Sequence, residues 1–562
     1  MGSRPRRRAP SGHRLSEVTP APAHPRPGSA PARRIIDAYE LTLTAESRRR
    51  GAHYTPHGVA DRLVELALQG LPGRPLVLDP TCGAGSVLLA VLDRLVDRGL
   101  GAVDALASVR GVDTDAGAIE AARAALGEWG RCHGVTDHRI DLRVGDGLDE
   151  LTRSASEFDL IIGNPPFRSQ LRTDRAHTAA ERARVRRKVG SVGQRYADLA
   201  AVFLIQAARH ARPGSRVALI QPRSLLSASD VSALRAELAQ LHGLADLWFC
   251  GDRVFDAAVE VCCPVLHICT PTSQTRLWIG ADFAGGERLP TPVDGSWAPL
   301  AAAAVGVPAD GVLTAQDSCP VGTPLGELAS IVAPFRAEYY ALAEAVSEAP
   351  ATEARRLLTS GAIDVASQTW RVRPQRFARR VWNQPWVDLE RLRAVSARID
   401  RWVTSIDRPK VLVAAQTTVI EAVGDPDSLF VPSTPVIAVV PHDPEDLARI
   451  LAALSGPTAT AWLWHRLGGN GITAGVLRPT SAALAQIQVP TAETMATGIA
   501  ALSAAASGSG DWETFVELDR SMVGGGCSDD IGQWWLHASA RSRPTGRREG
   551  LDGNRLRVSQ SP

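Results

Sequence analysis

In the first half of the chain, apolar residues fall into short continuous runs that alternate with longer amphipathic stretches. This is the spacing of a buried, mostly parallel sheet wrapped by helices. Val59 to Leu68 reads as a helix, Leu76 to Asp79 as a short strand, and Ser86 to about Asp97 as the helix after it. Further strands follow at Val109 to Asp113, Ile140 to Asp146, Phe158 to Ile162 and Val217 to Ile220. Ala245 to Phe249 and Val265 to Cys269 are suited to a closing antiparallel pair. The pattern predicts an α/β, doubly wound fold, and in such sheets ligands bind outside the carboxyl ends of the strands. Asp79, Asp113, Asp146 and Asn164 all fall on those ends.

With 562 residues the chain exceeds one core, so a second folded unit and tails are expected. Residues 1–34 mix Arg6-Arg7-Arg8, Arg33-Arg34 and many prolines without hydrophobic periodicity and read as a disordered tail. The α/β domain is assigned to 35–273, and the Pro/Gly/Ala-rich 274–322 to a linker or peripheral excursion. A second domain spans 323–491, a helical segment 492–537 and a tail 538–562. Hydrophobics at 44% and charged residues at 22% are ordinary for a globular protein. No apolar run reaches the roughly 18 residues of a membrane span. The eight cysteines form no C-x-x-C pair, which argues against zinc and a disulfide framework and fits a reducing cytoplasm. A net charge of +2 leaves any affinity for a polyanion to local clusters. One runs from Arg168 to Arg195 and includes Arg172, Arg175, Arg182, Arg184, Arg186, Arg187 and Lys188. It suits phosphate contacts or a solvated helix face equally well.

Candidate chemistry centres on Asn164-Pro165-Pro166-Phe167, where the fourth strand runs out into a loop. Two prolines fix φ and donate no N–H, so the carbonyls beside them are rigid acceptors. An Asn oxygen and such a carbonyl together match the two donors of an exocyclic amino group, and Phe167 offers a stacking face. Upstream, Pro80-Thr81-Cys82-Gly83-Ala84-Gly85 joins a strand to a helix with the small residues that let a ligand approach the backbone. The full dinucleotide fingerprint is absent. Asp113 is placed to accept ribose hydroxyls and Asp146 an adenine amino group. Each taken singly is equally well explained as a helix N-cap. A nucleoside ligand without phosphates, such as S-adenosylmethionine, fits the layout.

These motifs, in this order, resemble the gamma-class N6-adenine DNA methyltransferases of restriction-modification and related defence systems. The resemblance covers roughly Ile35 to Thr270 and implies a seven-stranded S-adenosylmethionine-dependent fold. It also implies methyl transfer to an adenine flipped out of duplex DNA. Tyr54 and Thr55 in Gly51-Ala52-His53-Tyr54-Thr55-Pro56 match the family's contacts to the methionine carboxylate. Asp79, Pro80, Gly83 and Gly85 match its glycine-loop motif, and Asp198 to Phe203 the helix after its catalytic tetrad. Asn164, Pro165, Pro166 and Phe167 match that tetrad. Phe255 falls where a second aromatic meets the target base, though a core Phe accounts for it equally well. Arg172, Arg186, Arg187 and Lys188 are the candidate DNA contacts.

Residues 323–491 resemble the α+β target-recognition domains of the same enzymes. Their Trp/Arg stretch, with Trp370, Arg371, Arg373, Arg376, Arg379, Arg380 and Trp382, suits DNA contacts or core and surface alike. The two lysines, Lys188 and Lys410, lack the acidic residues just ahead of them that a metal-dependent nuclease core uses. No metal is therefore expected, cleavage would come from another protein, and a separate nuclease or specificity subunit is the expected partner besides double-stranded DNA. The expected location is cytoplasmic and nucleoid-associated. Alternatives are an RNA or protein-glutamine methyltransferase, since the tetrad selects a planar amino group and not a polymer, or a non-catalytic DNA-recognition subunit.

Overall fold

The computed structural model describes residues 28–43, 55–167, 198–228, 231–251, 260–292, 295–308, 322–333, 339–471, 475–522 and 528–540. Helix α1 (Ala30–Leu41) starts inside the expected N-terminal tail. Its basic pair misled the sequence reading. Arg33 donates to both oxygens of Asp61 at 3.1 and 3.0 Å, while Ala32 and Ile36 are buried. Ser29, just ahead of the helix, donates to buried Asp93, which also accepts from Trp129 Nε1 at 2.8 Å. Helix α2 (His57–Leu68) buries eight of its residues and leads to β1 (Val77–Asp79).

From there the expected alternation holds. Helix α3 (Ser86–Asp97), β2 (Val109–Asp113), α4 (Ala116–Cys132), β3 (Asp141–Val144), α5 (Gly147–Ser154) and β4 (Leu160–Gly163) follow in turn. Then come α6 (Leu199–His210), β5 (Arg216–Leu219), β6 (Gln221–Pro222), α7 (Ser232–Leu241), β7 (Gly243–Cys250) and β8 (Val261–His267). Strands β3, β2, β1, β4 and β5 lie side by side and parallel. Strand β8 pairs antiparallel with both β5 and β7. Burial on both faces explains the unbroken apolar runs of β1 and β4.

Among the described residues the seven expected strands are extended to a ten-stranded sheet: β6 pairs with β8, and the segment read as a linker from 274 adds two more. Strand β9 (Gln274–Ile279) adds parallel to β7, and β10 (Ala284–Pro290) adds antiparallel to β9. Buried Asp246 on β7 anchors the extension, accepting from Trp278 Nε1 at 2.8 Å and pairing with Arg276 at 2.7 Å. Helix α8 (Ala298–Ala304) then packs by its apolar face.

The second unit is α+β. One sheet runs in the order Ala329–Val332, Val436–Pro441, Lys410–Ala414 and Ala422–Asp425, all antiparallel. A smaller sheet contains Ala354–Leu358 between Trp386–Asp388 and Phe430–Pro432. Lys410 is fully buried and pairs with Asp425 at 2.6 Å, so its charge serves the sheet. Gly322–Pro324 pairs with Gln488–Pro490, tying the entry of this unit to its exit. Helices Ala492–Ser507, Trp512–Met522 and Asp529–Ser539 follow, the last running past residue 537 into the expected tail. Buried Asp519 accepts from the Thr458 hydroxyl at 2.6 Å and its N–H at 3.2 Å, fastening these helices to helix Pro457–Leu467.

One buried guanidinium joins the two units. Arg223, 8% exposed, follows β6 directly and donates to the carbonyl of Gly469 at 2.9 Å and to that of Gly471 at 2.5 Å. It also pairs with Glu260 at 2.5 Å. Removing one partner of a buried ion pair costs about 3–5 kcal/mol. Arg223→Ala should therefore lower the urea midpoint or split unfolding into two transitions. An unchanged single transition would deny the contact this role.

Candidate functional site

The site forms where β1, β2 and β4 end. Asp79 closes β1 and is 1% exposed, with its Oδ1 accepting the Thr81 N–H at 3.0 Å. The strands leave no room beside it: a Cβ on Gly163 would lie 2.4 Å from that oxygen and 3.4 Å from Thr81 Oγ1. Burial drives the Asp79 pKa from 3.8 up to about 8, opposed by the Thr81 hydrogen bond and assisted by the nearby charge of Asp113. Between β1 and α3 the chain turns through Gly83 and Gly85, at φ +51° and +94°, conformations that a side chain would strain.

Asp113 at the end of β2 holds this turn. Its Oδ2 accepts the Gly83 N–H at 2.9 Å, and its Oδ1 accepts the Asp115 N–H at 2.9 Å. Burial raises its pKa against those donors. A carboxylate has about four acceptor positions, so capacity for a diol remains on both oxygens. The N-cap of α4 is Asp115, two residues on, which also accepts from Tyr39 of α1 at 2.9 Å. Asp146 does cap a helix, accepting the Leu148 N–H at 2.8 Å at the start of α5. Pro80 is packed under the same helix, since a Cβ on Gly147 would lie 1.9 Å from the Pro80 carbonyl oxygen.

Asn164 leaves β4 next to these acids, and its Nδ2 donates to Thr55 Oγ1 at 3.1 Å. Committing the amide nitrogen to Thr55 turns Oδ1 to the other side, the orientation an acceptor for an amino group needs. Thr55 is itself held, because its carbonyl accepts the Ser86 hydroxyl at 3.0 Å, and Ser86 is the first residue of α3. His57 lies within 3.4 Å of Ser86 Oγ and 2.9 Å of Asp37. The glycine loop and the tetrad are thereby coupled through a residue 109 positions from Asn164. The sequence offered no signal for that contact. Pro165 is buried, and Phe167 is half-buried against the sheet core. Asp198 caps α6, where Phe203 is buried.

Thr55, Asp79, Pro80, Gly83, Gly85, Asp113, Asp146 and Asn164 to Phe167 are thus gathered around one set of strand ends. Tyr54, Phe255, Arg172, Arg175, Arg182, Arg184, Arg186, Arg187 and Lys188 lie outside the described residues. Thr81 was missed as a site residue. Its buried Oγ1 has no hydrogen-bond partner among the described residues, and the Asp79 carboxyl stands beside it. An orphaned hydroxyl, a buried acid and a second acid suited to a diol fit a ligand with a cationic end and a ribose.

The strand order and this site define the class I S-adenosylmethionine-dependent methyltransferase fold, extended by a second domain. Residues 34–276 match the family described as N-6 DNA Methylase. The chain is also 36% identical over 120 residues to the ribosomal RNA small subunit methyltransferase C of Pseudomonas entomophila (strain L48). That match takes in 21% of this chain and 30% of the relative, so it spans under a third of the relative's length. The fold is similar to that of the type IIL restriction-modification enzyme MmeI, solved in complex with DNA. The TM-score is 0.56 at 14% identity, covering 91% of this chain and 79% of that one. Among the described residues no helix is long and apolar enough to cross a membrane.

The Asp79 carboxyl sets a pH dependence. Its folded pKa, about 8, lies above the unfolded 3.8, so the folded state holds the extra proton. Its contribution is full below the unfolded value and is lost as pH rises through about 8. Without ligand, Tm should fall between pH 5 and pH 8.5, roughly the window between those values. Asp79→Asn should flatten that fall and melt higher at the alkaline end. A variant with the wild-type slope would assign it to other groups.

Proposed function

We propose that this protein is a site-specific DNA adenine-N6 methyltransferase that uses S-adenosylmethionine and works within a restriction-modification or defence system. The observation that carries the reading is Asn164, with its amide oriented by Thr55 and set between the glycine loop and Pro165-Pro166-Phe167. S-adenosylmethionine, when bound, supplies a methyl group on a sulfonium centre. Asp113 would accept the ribose hydroxyls, Asp146 the adenine amino group, and Thr81 with Tyr54 the polar methionine end. Asp79, its carboxyl held largely protonated near neutrality by burial, would lie near the cationic end of the ligand, whose charge would favour the ionised form.

On the substrate side, Asn164 Oδ1 and the Pro165 carbonyl would accept the two hydrogens of the target amino group. That directs the nitrogen lone pair away from the ring plane and toward the methyl donor. Phe167, with Phe255, would hold the extrahelical base by stacking. No strong general base is invoked: the amino nitrogen, cationic once it carries the methyl group, would lose its extra proton to solvent, and rate enhancement would come from alignment and fixed dipoles. Arg172, Arg186, Arg187 and Lys188 would supply phosphate contacts. A DNA substrate places the protein with the nucleoid in the cytoplasm, and a separate nuclease or specificity subunit would complete a restriction system. The match of residues 34–276 to the N-6 DNA Methylase family and the likeness in fold of 91% of the chain to MmeI, solved with DNA, support duplex DNA as the polymer.

The second reading is an RNA substrate, favoured by the local match to the ribosomal RNA methyltransferase. Tritiated methyl transfer to unmethylated duplex DNA and to ribosomal RNA, followed by nucleoside mass spectrometry, separates the two. N6-methyladenine in DNA supports the first reading, and label confined to RNA overturns it. Asn164→Ala should cut transfer at least about a hundred-fold with cofactor affinity nearly unchanged. Asp113→Ala should weaken cofactor binding about ten-fold or more. Thr55→Val should lower kcat by up to about a hundred-fold without a matching rise in the cofactor KM. Equal loss of cofactor affinity in all three would refute the division of roles.

A further inference from the structure

In the second domain, Gln375–Phe377 and Arg380–Trp382 form an antiparallel hairpin whose register pairs Phe377 with Arg380. Only Ala378 and Arg379 remain for the turn, and both have positive φ, +51° and +62°. That is the geometry of a type I′ turn, which ordinarily carries Asn-Gly, Asp-Gly or Gly-Gly. Two residues with side chains are held in it at a cost, and surrounding contacts keep them there. The Ala378 N–H donates to Tyr339 Oη at 2.6 Å, and the Tyr339 ring meets Phe377 edge-on with centroids 5.1 Å apart. Trp382 Nε1 donates to the Phe377 carbonyl at 3.1 Å.

The base is equally fixed. Buried Gln375 accepts both the N–H and the hydroxyl of Thr359, at 2.9 and 3.0 Å. Nearby, the Arg356 guanidinium lies 5.0 Å from the Trp370 ring centre and 5.8 Å from those of Trp386 and Phe430.

What this frame displays is positive charge. Arg376, Arg379 and Arg380 are exposed, as is Val381 at 59%. No carboxylate lies within 4.0 Å of any of the three arginines among the described residues. A rigid, narrow, two-stranded ribbon tipped with unpaired arginines matches the major groove of B-form DNA, which admits such a ribbon. In a chain whose net charge is only +2, a local cluster of this kind is where affinity for a polyanion must arise.

Resting on the DNA reading above, we propose that the 375–382 hairpin is the element of the second domain that enters the major groove. Arg379 at the strained tip contacts a base edge, and Arg376 and Arg380 contact phosphates. A base-reading side chain must arrive in one orientation, and the over-determined turn supplies that; phosphate contacts tolerate more freedom.

The test begins with long-read sequencing of plasmid DNA methylated by the wild-type protein, which yields the target site. Anisotropy with a fluorescein-labelled duplex carrying that site, and with duplexes changed at single positions, is then measured over a range of salt. Arg379→Ala should lose roughly ten-fold or more of the discrimination at one base position. Arg376→Ala and Arg380→Ala should weaken binding to all duplexes alike, each lowering the salt slope by about one. Tyr339→Phe, which keeps the ring and removes the hydrogen bond, should relax discrimination in the same direction as Arg379→Ala. Cofactor affinity and Tm serve as controls and should stay near wild type for the three arginine variants. Wild-type discrimination with unchanged binding and discrimination in those variants would overturn this proposal and leave the DNA reading standing. A wild-type protein that neither methylates nor binds duplex DNA, or that binds RNA through the same arginines, would overturn both.

Discussion

A carboxyl group buried at the end of the central strand is the constraint on which the catalytic domain turns. Asp79 can occupy its position only because Gly163 on the neighbouring strand has no side chain and the Thr81 N–H meets it in the turn. Burial holds the group partly protonated near neutrality, at a cost to the ligand-free fold. The surrounding features answer that cost. Asp113 fixes the glycine turn, α3 starts where the turn ends, and Ser86 at its first position holds Thr55, which orients Asn164. The site is one connected arrangement, so the proposed cofactor side and base side would be positioned by the same few hydrogen bonds.

Much of this domain was legible because the relevant information is local. Helix α3 and strand β4 fall where the pattern puts them, since a strand buried on both faces is apolar along its length and a helix over it is amphipathic. What failed depended on partners distant in the chain. Arg33 looks like part of a basic tail until Asp61 is beside it. Strands β9 and β10 lack alternation, with Ala284-Gly285-Gly286-Glu287 largely exposed, and are recruited by Asp246 through Arg276 and Trp278. The acids at the strand ends could each be read as a helix cap. The structure separates them: Asp146 caps α5, whereas Asp113 leaves capping to Asp115 and binds the glycine turn instead. Thr55 was visible as part of a motif, but its grip on Asn164 has no counterpart in local sequence.

The second domain is coupled to this arrangement by a short mechanical path. Arg223 receives the Gly469 and Gly471 carbonyls from one side. On the other it belongs to the segment directly after β5, where the Ile220 N–H donates to the Gly163 carbonyl at 3.0 Å, one residue from Asn164. A buried guanidinium with several acceptors has few alternative positions, so the link resists displacement. Under the proposed function, such a link would keep the two units from rocking apart, which would decouple recognition from the reacting base.

The same logic accounts for where the chain departs from local preference. Natural sequences agree with their folds at most positions and break local rules where function demands it. Asp79 is an acid in a site that would be more stable with a neutral group, and Ala378-Arg379 occupy a turn that glycine or asparagine would adopt without strain. Both departures are held by specific contacts, Thr81 for one and Tyr339 for the other. One lies in the site at the strand ends of the first domain and the other at the tip of the proposed reading element. Strain retained at both places, and supported there by dedicated hydrogen bonds, is what a protein selected for binding as well as stability would show.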